Sequence, residues 1–144
     1  MFIAIRKEPN GTIYMDKEIY SITQEVQDEQ GNITIQPLFS DEILSKPPYN
    51  YTKVEIDAKY SDCIGADFNE DLTFNVEKYN ARKQEEKKRN YKREVERLIA
   101  LKYDIYDELA IQRQKEEKPE EYQEYYDYVE QCKAAVKEEY AVCN

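Results

Sequence analysis

The hydrophobic period of the chain changes at Asn75, and that change sets what the chain can fold into. Up to about residue 74 apolar and polar residues alternate in short runs broken by turn residues. From Asn75 to about Lys102 neither Gly nor Pro occurs, and apolar residues recur at helical spacings instead. A chain of 144 residues has room for about one ordinary core. The expected fold is therefore α+β: a small N-terminal antiparallel β meander, then a long helix and a C-terminal helical hairpin. The expected divisions are a β-rich body over 1–58, a turn-rich connector over 59–74 and a helical region over 75–144.

In the front, Phe2-Ile3-Ala4-Ile5 and Thr12-Ile13-Tyr14-Met15 flank Pro9-Asn10-Gly11, where Asn-Gly offers the positive φ angles of a tight hairpin. A second alternation places Tyr20, Ile22 and Val26 on one face, turns through Asp28 to Asn32 and returns with Ile33 and Ile35 until Pro37. Ser40-Asp41-Glu42 suits the cap of one helical turn, Pro47-Pro48 demands an extended path, and Lys53-Val54-Glu55-Ile56 is a last strand. Four or five short strands with one packed face make a stable meander.

Asp67, Asn69 and Asp71 fall at positions one, three and five of a calcium loop. Position six is Leu72 where a tight turn needs Gly, and position twelve is Lys78 where a bidentate Glu belongs. The stretch is therefore expected to be a solvated turn before a helix.

Asn75 suits an N-cap, with Phe74 packing on Tyr79 as a hydrophobic staple. The first helix is expected over about 75–102. Val76 and Tyr79 open its apolar stripe and Val95, Leu98, Ile99 and Leu101 close it, but Arg82 to Asn90 holds no apolar side chain. Such a stretch reads as a solvated rod or a surface for an acidic partner. Asp104 caps a short helix over 104–114 presenting Ile105, Leu109 and Gln112. Pro119 opens a final helix over 119–142 with the face Tyr122, Tyr125, Tyr126, Val129, Cys132, Val136 and Tyr140, expected to fold back on the apolar end of the long helix.

The chain has no His, which removes the imidazole base and ligand of most hydrolase and zinc mechanisms. Carboxylate pairs such as Glu120/Glu124 recur in any Glu-rich helix and imply no acid/base chemistry. No enzyme activity, cofactor or metal is expected. Cys63, Cys132 and Cys143 form neither a disulfide framework nor a metal knuckle. The start MFIAIRKEPNG reaches charge and a turn too soon for a secretory signal, and no apolar run is long enough for a membrane span. These features suit synthesis in a reducing cytoplasm.

A net charge of −10 disfavours nucleic acid and anionic membrane as partners. Its distribution is uneven: net −8 over 1–74, +5 over 75–102 and −7 over 103–144. The basic run of Arg82, Lys83, Lys87, Lys88, Arg89, Lys92 and Arg93 is interleaved with Glu at spacings that pair along a helix. The tyrosine row of the last helix exceeds what the end of the long helix can cover. The candidate partner-binding residues are therefore Arg82, Lys83, Lys87 and Arg89, with Tyr122, Tyr125 and Tyr126, and a homo-oligomer or a docked partner is expected.

The stretch DCIGADFNEDLTFNVEKYNARK, followed by LIALKYDIYDELAIQRQKEEKPEEYQEYYDYVEQCKAAVKEE, resembles small tail-region proteins of bacteriophages and prophages of Gram-positive bacteria. Its layout is similar to that of tail fibre assembly proteins, in which a variable β-rich front precedes a helical tail. The resemblance covers about residues 60 to 140 and is most specific from Asp107-Glu108-Leu109-Ala110 to Cys132. It implies a virion component or an assembly factor and not an enzyme. The leading expectation is a noncatalytic virion component that binds tail fibre or baseplate proteins, located in the virion tail and in the host cytoplasm during assembly. The alternatives are a fibre assembly chaperone absent from the mature virion and an acidic inhibitor of a host defence nuclease.

Overall fold

A computed structural model describes residues 1–141. Cys143 and the Tyr140 side chain, both named above, lie outside the described residues. In chain order the front holds strands β1 (Phe2–Lys7), β2 (Ile13–Asp16), β3 (Thr23–Gln27) and β4 (Ile33–Pro37), a one-turn helix α1 (Asp41–Ser45) and strand β5 (Thr52–Glu55). Helices α2 (Val76–Ala100), α3 (Ile105–Arg113) and α4 (Pro119–Ala141) follow, confirming the α+β class. The chain divides into two compact units, residues 1–82 and 83–144, with the boundary inside α2.

In the first unit the strands do not make one meander. β1 lies at the centre of a three-stranded antiparallel sheet of order β2-β1-β5, whereas β3 and β4 pair only with each other. The reason is burial. Ile3 and Ile5 are fully buried on one face of β1 and Ala4 on the other, so β1 is the strand that needs neighbours on both edges. β3 and β4 carry no such pattern: Ile22, just before β3, is exposed, Val26 is half-buried, and every residue of β4 is exposed. Ile19, one residue before the expected face, is the side chain that enters the core.

Ile3 and Ile5 pack with Ile56, Cys63, Phe68 and Tyr79, while Ala4 packs with Ile19 and Leu44 across the sheet. Each fully buried Ile contributes about 1.5–3 kcal/mol. The segment 59–74, expected as a turn-rich connector with a solvated turn from Asp67, supplies core: Cys63 and Phe68 are buried, and Tyr60, Leu72 and Phe74 pack against them. Ser40 caps α1 as expected, its Oγ accepting from the Ile43 N–H at 3.3 Å.

Two hairpins share one turn. Glu8 N–H bonds to Thr12 O at 2.8 Å and Gly11 N–H to Glu8 O at 2.9 Å; the same pattern recurs from Asp28 to Asn32. Gly11 and Gly31 sit at positive φ of 84° and 86°. The first loop therefore has three residues, with Gly11 rather than Asn10 in the left-handed region. The Asn69–Thr73 turn repeats these bonds with Leu72 at φ 67°, a conformation that costs a non-glycine residue energy and is held here by packing.

Helix α2 starts as expected. Asn75 Oδ1 accepts from the Lys78 N–H at 3.0 Å, and the Phe74 and Tyr79 rings lie 6.0 Å apart. In the second unit Val95 and Ile99 of α2 pack with Tyr125, Cys132 and Val136 of α4, which gives the expected helical hairpin. Leu101, read as part of the stripe, is 71% exposed because the helix has ended at Ala100. Asp104 caps α3 through the N–H groups of Tyr106 and Asp107, and the Asp107 carboxylate returns a bond to the Asp104 N–H. The face that α3 buries is not the expected one: Ile105 and Leu109 are exposed, and Ile111 packs on the core instead.

Candidate interaction surface

In the second unit the helical period of α4 sorts its tyrosines. Tyr125 points to the core together with Val129 and Cys132, while Tyr122 and Tyr126, one turn apart, lie along the neighbouring edge. Their rings stack at 6.5 Å with 28° between planes; Tyr126 is 47% exposed and Tyr122 half-buried. These two of the three predicted tyrosines are presented together.

Tyr125 is not available to a partner, contrary to expectation. It is buried, its hydroxyl donates to Glu108 Oε2 of α3, and its ring meets Tyr103 edge-on at 5.2 Å. Burial, then the Glu108 hydrogen bond, pushes its pKa up to about 12. The short helix α3 thus covers one tyrosine and leaves two. Tyr128, absent from the predicted face, packs on the core and donates to Leu98 O at 3.0 Å. α3 in turn leaves Ile105, Tyr106 and Leu109 open.

The basic positions also divide. Lys83 pairs with Glu86 at 3.4 Å, Lys88 with Glu85 at 3.1 Å and Arg97 with Glu94 at 2.6 Å. The Lys87 and Arg89 side chains are solvent-exposed. Exposed pairs of this kind stabilise a helix by only about 0.3–0.5 kcal/mol. Arg82 belongs to the first unit and is engaged there. It donates Nε to Asp67 Oδ1 at 2.9 Å and Nη2 to Asp67 Oδ2 at 2.7 Å, with its guanidinium 5.3 Å above the Tyr79 ring. Its assignment to a partner-binding surface is therefore corrected.

Asp67, position one of the rejected calcium loop, is almost wholly buried beneath that guanidinium and also accepts from the Ile64 N–H at 2.8 Å. Burial alone would raise its pKa, but the Arg82 and Ile64 hydrogen bonds outweigh burial and hold the carboxyl below the usual carboxylate range. Among the described residues no cluster of His, Cys, Asp or Glu is arranged to hold a metal ion.

No family model, curated protein or solved structure matches the chain. The surface is thus characterised by its own chemistry. Cys63 is fully buried with Sγ 4.0 Å from Met15 Sδ, and burial raises its pKa, which favours the unreactive thiol. No helix among the described residues is long and apolar enough to cross a membrane.

A second open surface lies on β4, where the alternation of apolar residues predicts a packed face. Ile33 and Ile35 are 63% and 73% exposed. The signal that marks them is present: no charged residue occurs from Gln30 to Ser40, in a chain that is 36% charged.

Proposed function

We propose that the chain is a noncatalytic accessory protein of a phage tail or baseplate, which binds tail fibre or neighbouring tail subunits as a component of the virion. The observation that carries the reading is the stacked, open Tyr122–Tyr126 pair on α4. Two adjacent rings offer a large contact area with few rotors to freeze, the usual make-up of a protein-binding anchor. Both lie inside the stretch from Asp107 to Cys132 that most resembles phage tail-region proteins. Tyr106 and Leu109, exposed on α3, add apolar surface to the same unit.

The experiment is affinity capture from phage-producing cells with the tagged full chain and with a Tyr122→Ser/Tyr126→Ser variant, together with analysis of purified virions. Tail subunits retained by the parent chain and lost by the variant, with the chain present in virions, are the expected result. Capture of a fibre protein without the chain in virions would identify an assembly chaperone instead. Block of a host nuclease without capture of any tail protein would move the assignment to an inhibitor.

A further inference from the structure

The β3–β4 ribbon is a two-stranded sheet of its own, and its hydrogen-bond phase fixes what its edge offers. Leu38 N–H bonds to Ile22 O and Asp28 N–H to Asn32 O, so the bonded partners of this antiparallel ladder are the even-numbered residues. The N–H and C=O groups of Thr34 and Gln36 therefore face β3, and those of Ile33 and Ile35 face the open edge. Pro37 offers a carbonyl there and no N–H. The Ile33 and Ile35 side chains share one face and are exposed.

Natural sheets blunt such an edge with charge, most often Lys. β4 has none, and neither do the residues on either side of it from Gln30 to Ser40.

We propose that β4 is the interface through which two copies of this chain join, antiparallel, about a two-fold axis at Thr34. In that register Ile33 of each copy pairs with Ile35 of the other, and both pairs exchange N–H···O=C bonds in both directions. Every outward donor and acceptor of these two residues is then satisfied. Neighbouring registers do worse. Centring on Ile35 sets Ile33 against Pro37, which has no N–H to give. Centring on Ile33 sets Ile35 against Gly31, whose N–H already bonds to Asp28 O.

The side chains agree with the backbone. Ile33 and Ile35 of the two copies form one apolar patch on a continuous four-stranded sheet. Because the segment carries no charge, two chains of net charge −10 meet there without like charges placed opposite each other. A contact between two five-residue strands is smaller than the roughly 1,200 Å² of a standard stable interface, so the dimer is expected to be weak and concentration-dependent. The interface lies in the first unit, and the tyrosine surface belongs to the second.

The test uses the full chain. Sedimentation should show a monomer–dimer equilibrium that an Ile33→Lys/Ile35→Lys variant abolishes, with circular dichroism and urea midpoint unchanged because both side chains are already exposed. In a Cys143→Ser background, Thr34→Cys should form a disulfide dimer under mild oxidation, since Thr34 faces its own copy in a close non-bonded pair. Gln36→Cys should not, because in this register it lies opposite Asn32. A chain that stays monomeric at all attainable concentrations, a dimer untouched by the lysines, or equal cross-linking at both positions would overturn the proposal. So would a monomer whose β4 takes up a strand from a different protein.

Discussion

Arg82 and Asp67 face each other edge to edge, with two guanidinium nitrogens on two carboxylate oxygens at 2.9 and 2.7 Å and only 1% of the Asp67 side chain exposed. The pair ties the second turn of α2 to the loop over residues 62–67, and Tyr79, whose hydroxyl donates to Asp62 Oδ1 at 2.6 Å, reinforces the tie from the first turn. Asp67→Asn is expected to destabilise the first unit by about 3 kcal/mol, because at a site only 1% exposed a neutral amide, whose NH2 meets the guanidinium donors, replaces a carboxylate that accepts two charge-assisted bonds. Urea unfolding monitored within residues 1–82 measures it.

The same pair sets an acid limit. Asp67 is held below its unfolded value, so its contribution is complete above the unfolded pKa and is lost as pH falls through the folded one. Unfolding midpoints measured from about pH 5 downward, past the ordinary aspartate value near 4, should fall less steeply in Asp67→Asn than in the parent chain. Equal slopes would show that other carboxylates control acid unfolding.

Tyr125 sets the opposite limit in the second unit. Its pKa is raised to about 12, so the stabilisation is complete below the ordinary tyrosine value of about 10 and is lost as pH rises towards the folded one. Burial also raises Tyr20, Tyr51 and Tyr128, so spectrophotometric titration should show several late tyrosines, of which Tyr125→Phe should remove the one near pH 12 and reduce the alkaline loss of stability.

Gly65 has no positive φ, and its need for glycine comes from a neighbour. A Cβ built there would lie 2.1 Å from the backbone carbonyl oxygen of Ile13. Gly65→Ala must push β2 away from the loop and should cost about 1–3 kcal/mol, the usual range for overpacking. Thermal unfolding tests this, with Gly11→Ala as a comparison in which the added methyl meets open space and only the positive φ is strained.

Val136, 1% exposed in the core of the second unit, tests the helical hairpin. Val136→Asp should cost several kcal/mol by burying an unpaired charge, and Tyr126→Asp at an exposed position much less. Similar losses from both variants would contradict the orientation of α4.

The sequence alone determined the elements bounded by local rules. Asn75 with Phe74 and Tyr79, Asp104 with Asp107, and Ser40 before α1 cap their helices through atoms only a few residues away. The period-two and helical patterns likewise placed β1, β2, α2 and α4. Tertiary structure decided whatever depends on a distant partner. Asp67 is invisible as a core residue until Arg82, fifteen positions later, arrives to neutralise it. Tyr125 is buried and Tyr126 is not because the end of α2 packs on one side of α4 and α3 brings Glu108 and Ile111 to it. The alternation of β3 and β4 could not say that the sheet closes with β5 beside β1 and leaves the ribbon outside. Periodicity specifies which side of an element is apolar, whereas long-range packing specifies what, if anything, covers it.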